Sequence, residues 1–263
     1  MAVKTMKKRI FSGSVCEQLV YNVPSGVKDP MKHDPEKPSR QRFKDEEDRK
    51  HHREEISRRK FRRSINENHN PESIYSTLTF NREWEVHTFD EARQVRRNFI
   101  RVLTYHYPDA VIHLVMGRGK ATKRIHFHMV SSGIPLDFIQ KKWKYGKIAE
   151  HSYLREHNWY QGIDYGQDYT GLADYLWEHW TEEVGGHRWF QTKNAREPEA
   201  EKPTEVRKTG GYSKDRPPVA PKGYKLVETR ATKYGYLYFK YVVIPPEQKG
   251  RKTSRKSGSG PGN

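Results

Sequence analysis

The sequence contains a single cysteine, Cys16, among 263 residues. That excludes an intrachain disulfide and any cysteine-rich zinc site. No stretch approaches the ~20 consecutive apolar residues that a membrane-spanning helix needs, so no membrane partner is expected. The opening residues, MAVKTMKKRI, lack the apolar run of a secretory leader, and the expected location is the cytoplasm. No G-X-X-X-X-G-K-[ST] phosphate loop occurs, which excludes a built-in P-loop motor. There is no internal repeat. Acidic residues are in deficit, with 33 Asp and Glu against 50 Lys and Arg, a net charge of +17. A surplus of that size favours a polyanionic partner, nucleic acid first of all.

Hydrophobic residues make up only 33% of the chain and are unevenly spread, so a core is expected in the middle with polar flanks. Residues 1–35 show no sustained period and are punctuated by Pro24, Gly26, Pro30 and Pro35. Residues 36–70 are dense in charge, with Ile56, Phe61 and Ile65 too sparse for a buried face. They read as a solvated helix or basic arm whose Arg58, Arg59, Lys60, Arg62 and Arg63 are candidates for phosphate contact. Residues 1–70 are thus read as a basic N-terminal extension, 71–246 as the folded domain, and 247–263, ending in SGSGPGN, as a disordered tail.

Within the folded domain, SIYSTLTF alternates like a strand. Ala92, Val95, Phe99, Val102 and Leu103 recur at helical spacing. AVIHLVM and RIHFHMV form a hairpin across GRGKATK, IPLDFIQKKW is a short helix, YTGLADYLWEHWTEE a further one, and YKLVETR and YGYLYFKYVVI a late strand pair. Hairpins imply antiparallel pairing. The expected class is α+β, an antiparallel sheet with flanking helices.

In Arg124-Ile-His-Phe-His-Met-Val130 a strand sends alternate side chains to opposite faces. Ile125, Phe127 and Met129 then enter the core, while His126 and His128 share the other face, near enough to bind one ion. If Val115 pairs opposite His126, then His113 lies opposite His128 as a third imidazole; a slip of one residue turns it away. On the later helix, Leu172, Ala173, Leu176 and Trp180 form an apolar stripe, and Tyr175, Glu178, His179 and Glu182 lie on the polar side. A displayed tyrosine can attack a phosphodiester covalently. Lys120, Lys123 and Arg124, in the hairpin turn beside the histidines, are candidates to hold phosphates. Trp84, Trp143 and Trp159 are candidates to stack on unpaired bases.

The order SIYSTLTF, RIHFHMV, LADYLWEHW resembles motifs one, two and three of the HUH superfamily of rolling-circle replication initiators. His126-Phe127-His128 matches the His-hydrophobic-His signature, and Tyr175 matches the nucleophile of the third motif. Within that superfamily the chain looks like initiators of Gram-positive plasmids and phages related to the filamentous-phage gene II protein. RRKFRRSINENHN, Trp143–Gly146 and GGHRWFQTKN fit that subgroup, and the resemblance covers roughly residues 55–200. It implies a central, about five-stranded antiparallel sheet with the histidines on a middle strand. It implies Mg²⁺ or Mn²⁺, and origin DNA presented as a single strand or hairpin. It also implies nicking through a 5′-phosphotyrosine, and a freed 3′-hydroxyl that primes synthesis with a separate host helicase and polymerase. Glu178 stands where the family often has lysine, so Glu178 and His179 become the possible positioning groups. No acid follows Asp109 before the histidines, which makes His113 the expected third metal ligand. Only Tyr175 lies within the helix, Tyr165 and Tyr169 being at or before its start, so one nucleophile is expected. A relaxase or transposase of the same superfamily, and a non-catalytic nucleic-acid-binding protein, are the alternatives.

Overall fold

Alternation and turn chemistry account for most of the architecture in the computed structural model. It describes residues 4–23, 28–29, 32, 34–36, 45–119, 122–180, 188–206, 211–232 and 235–244. Lys120, Glu182 and the segment 247–263 lie outside the described residues.

The protein is mixed α+β with antiparallel sheets. The sheet that carries the paired histidines contains β3 (Ile74–Phe80), β4 (Val111–Arg118), β5 (Ile125–Ser132), β6 (Gly146–Tyr153) and β9 (Phe190–Gln191), in the order β6-β3-β5-β4-β9. β5 is its middle strand. One face of this sheet sends Leu78, Leu114, Phe127 and Met129 into a dry core against α2 (Phe89–His106) and α3 (Leu136–Lys142). Each such fully buried side chain contributes roughly 1.5–3 kcal/mol relative to exposure. Helix α2 begins where it does because Thr88 and Glu91 form a reciprocal capping box, which satisfies two otherwise orphaned N–H groups. The opposite face carries Tyr75, Val115 and Val130 and is covered by α1 (Glu46–Asn68) and α4 (Thr170–Glu178).

A second sheet has the order β10-β1-β2-β13-β12, with β11 also on β1. It joins β1 (Lys4–Ser12) and β2 (Val15–Val23) to β12 (Tyr224–Ala231) and β13 (Tyr236–Val243), with β10 (Glu199–Ala200) and β11 (Thr204–Glu205) at its edge. Residues 1–70, read as a basic extension, thus supply β1, β2 and α1, and the late strand pair joins β2 in a sheet separate from that of the histidines. The cause is a two-residue hairpin at Gly13-Ser14, with Ser12 opposite Val15 and Gly13 at φ +54°. Glycine takes that conformation without a Cβ penalty. Val15–Val23 is almost wholly buried, and its partner β13 lies near the other end of the chain. A small hairpin, β7 (Trp159–Tyr160) with β8 (Ile163–Asp164), stands apart from both sheets.

Helix α1 lies between the two sheets. Phe61 and Ile65, one turn apart, are fully buried on the histidine sheet. Arg59 and Arg63, also one turn apart, face the second sheet. There Arg59 pairs with Glu36, Glu55 and Tyr236, and Arg63 with Glu17 and Glu36. Burial opposes ionisation of Glu36, yet Arg63 and Arg59 outweigh it and hold the carboxyl at about 2. α1 is thus a structural beam with two buried faces rather than a solvated arm. No helix among the described residues is long and apolar enough to cross a membrane.

Candidate active site

The paired histidines sit where strand alternation places them. His126 and His128 are on the face of β5 away from the core containing Phe127 and Met129. Their Nε2 atoms lie 3.0 Å apart. The other nitrogen of each ring has an oxygen partner. His128 Nδ1 is 2.9 Å from the Tyr75 hydroxyl and 3.3 Å from Thr77 Oγ1, both on β3. His126 Nδ1 is 3.4 Å from the Arg124 carbonyl. In the tautomers that donate Nδ1–H to these oxygens, the two Nε2 lone pairs face each other, an arrangement that a shared cation relieves. Burial, reinforced by His126 and His179, lowers the His128 pKa to about 3. Burial also lowers that of His126, against the Arg124 carbonyl. Both rings are therefore neutral near pH 7, the form that ligates metals. Two cis ligands at about 2.1 Å from an octahedral ion stand about 3.0 Å apart, so the pair fits a divalent ion. Among the described residues no group of three His, Cys, Asp or Glu side chains is already gathered around such a position.

Helix α4 brings Tyr175 over this pair. Ala173, Leu176 and Trp177 bury one side of the helix against Phe61 and Val115, which leaves Tyr175 42% exposed on the other. Its ring lies 5.7 Å from His128, 6.2 Å from Tyr75 and 4.2 Å from His179. Burial is the leading reason that the Tyr75 hydroxyl is pushed up, and a hydrogen bond with Tyr175 adds to it. Tyr75 therefore stands between Tyr175 and His128. α4 ends at Glu178, and His179 is its C-cap, with Nδ1 2.7 Å from the Tyr175 carbonyl. The helix end can approach the sheet because Gly117 lies opposite His126. A Cβ on Gly117 would stand 2.4 Å from the His179 carbonyl oxygen.

His113 is not part of this cluster. Val115, not His113, pairs with His128; His113 pairs with Val130. A shift of two residues keeps the face but moves the side chain one step along the strand. There His113 is fully buried, with Nε2 2.8 Å from Ser64 Oγ and Nδ1 2.8 Å from His69 Nε2. With both ring nitrogens used, it has no lone pair to offer an ion. Burial lowers its pKa to about 4 despite the Gln191 hydrogen bond, and burial and His113 lower that of His69.

Several expected DNA contacts are also redirected. Arg59 and Arg63 are consumed in the buried ion pairs of α1. Arg62 and Arg58 are engaged by Asp174, and Arg58 reaches Glu178 at 3.2 Å. Glu178 thus turns toward α1 rather than toward the histidines. Arg124 pairs with Glu85 and donates to the Phe80 carbonyl. Lys60 and Lys123 remain exposed. Trp143 is in the core, its indole N–H donating to the Thr79 carbonyl, whereas Trp84 and Trp159 are exposed at 41% and 68%. Trp159 and Tyr160 stand at the mouth of a cleft of about 470 Å³ that also borders Arg155, Asn158 and the start of α4.

Tyr75, Thr77 and Gly117 were not distinguished by the sequence reading. The signal was present for the first two, because they alternate on one face of SIYSTLTF and need only β3–β5 pairing to meet the histidines. No protein-family model, curated protein or solved structure matches the chain.

Proposed function

We propose that the protein is a metal-dependent single-strand DNA nickase and strand transferase of the HUH type. In this reading it initiates rolling-circle replication of a plasmid or phage. One observation carries it: an exposed helical tyrosine, Tyr175, stands 5.7 Å ring to ring from His128 of a neutral histidine pair. The His pair on the middle strand of a five-stranded antiparallel sheet and the charge of +17 support it further.

His126 and His128 would hold Mg²⁺ or Mn²⁺, which supplies charge withdrawal at a scissile phosphate. Tyr175 Oη attacks the phosphorus. A tyrosyl O–P bond forms and the bond to the 3′-oxygen breaks. That oxygen ends as a 3′-hydroxyl with the proton that Tyr175 gives up, and the strand is left as a 5′-phosphotyrosine ester. Tyr75 holds His128 by its Nδ1 and touches Tyr175, so it fixes both partners of the reaction. Lys60, Lys123 and exposed Trp159 are available to the DNA on either side.

The test is incubation of the protein with labelled single-stranded or hairpin DNA and Mn²⁺, followed by denaturing electrophoresis. A covalent protein–DNA band is expected, and Tyr175→Phe removes it. A band that survives Tyr175→Phe moves the nucleophile elsewhere. Binding to every DNA tried with no cleavage of any returns the chain to a nucleic-acid-binding role.

A further inference from the structure

Three histidines meet under the C-terminal end of α4. His179 closes the helix one turn after Tyr175. Its ring lies 4.4 Å from that of His128 and 6.4 Å from that of His126, which are 4.7 Å from each other. All three have an oxygen beside Nδ1, a hydroxyl at His128 and a backbone carbonyl at His126 and His179. The hydroxyl is that of Tyr75, and the carbonyls are those of Arg124 and, at 2.7 Å, of Tyr175. A hydrogen bond at one ring nitrogen fixes the tautomer and leaves the other nitrogen as a lone-pair donor. In the tautomer protonated at Nδ1, each ring offers Nε2.

The acids of α4 do not compete for this place. Asp174 and Glu178 precede Tyr175 and His179 by one residue each and are turned to Arg58 and Arg62. Among the described residues, the remaining acid on the same face of the sheet is Glu150, opposite Thr77, which in turn is opposite His128. That puts Glu150 two strands from His128, about 9.5 Å of strand spacing.

We propose that His179 is the third protein ligand of the ion held by His126 and His128, drawn in from the end of α4 when the ion binds. Three imidazoles make a site that selects a transition ion such as Mn²⁺ or Co²⁺ over Mg²⁺, which prefers oxygen ligands. The same residue couples the ion to the nucleophile, because its anchor is the backbone carbonyl of Tyr175. The inference rests on the metal pair of the proposed function but not on cleavage.

The experiment is calorimetric titration of Mn²⁺ into the metal-free full-length chain, with Co²⁺ absorption as a second readout. His179→Ala is expected to weaken Mn²⁺ by at least about tenfold and to alter the visible Co²⁺ spectrum, whereas Glu150→Gln leaves both as in the wild type. Melting in EDTA checks that the alanine variant is folded. If it melts early, His179→Gln, which keeps a donor for the Tyr175 carbonyl, replaces it. Wild-type affinity in the His179 variant overturns the proposal, as does a loss in Glu150→Gln instead. A wild type that binds no ion overturns it together with the proposed function. Ion binding with full dependence on His179 but no DNA cleavage leaves this inference standing and removes the nickase reading alone.

Discussion

Tyr75 and His113 differ sharply in what they do for the histidine sheet. Tyr75 is buried, yet its hydroxyl reaches His128 Nδ1 at 2.9 Å. Such outer partners typically contribute 10- to 100-fold in metal affinity. Tyr75→Phe is therefore expected to weaken Mn²⁺ about tenfold in calorimetry while the fold persists. His113 instead governs stability against acid. Its pKa is about 4 in the folded chain and about 6.5 when unfolded. Between those values the unfolded chain binds more protons, so stability rises with pH through that window and levels above it. Acidification from about pH 7 to about pH 5 costs on the order of 2 kcal/mol through this residue. The melting temperature falls accordingly, and His113→Gln flattens its pH dependence. His126, His128 and Tyr175 were legible at this scale because alternation and helical spacing are local. The place of His113 was not, because parity fixes a face but not a register, and both alignments put it on the same side.

At the scale of the element, α1 and α4 hold the site together. The run from Arg58 to Arg63 reads as free positive charge until its acids are located, and Glu17 and Glu36 lie outside the helix. No local pattern reports such partners, which is why a charge run and a buried beam look alike in sequence. Phe61 and Ile65 were likewise too few to announce a face, because Ser64, Asn66 and Asn68 complete the buried surface with hydrogen bonds rather than apolar area. The seat of α4 depends on Gly117, where any Cβ meets the His179 carbonyl at 2.4 Å. Gly117→Ala is expected to push the helix end off the sheet, costing about 1–3 kcal/mol of stability by chemical denaturation. Under the proposed function it also loses the covalent DNA adduct while keeping salt-sensitive DNA binding, which would be spread over many basic residues. An adduct of wild-type yield in this variant would show that the close approach is dispensable.

Across the whole molecule, the second sheet was the least legible part. Strands β12 and β13 were visible, but β13 pairs with β2, itself paired with β1, at the other end of the chain, and non-local pairing leaves no periodic trace. That sheet is tied to α4 by Lys240 on β13. Its ammonium pairs with Asp168 just before the helix and donates to Thr170 Oγ1 at 2.8 Å, with both charged side chains buried. Removing one member of a buried pair strands the other, at about 3–5 kcal/mol. Lys240→Ala should show that loss by denaturant titration, and the joint change Lys240→Met with Asp168→Leu should recover most of it. Recovery would distinguish a stranded charge from a loss of packing.

The closure of β13 onto β2 also sets a timetable. Glu17 meets Tyr238, 221 residues later, at 2.7 Å, and Lys240 reaches Asp168 only once that late strand is in place. During synthesis the histidines and Tyr175 emerge well before the strand that clamps the start of their helix. Contacts so distant along the chain form slowly. Until β13 docks, a nascent chain carries Tyr175 on a helix whose first turn lacks its Lys240 clamp.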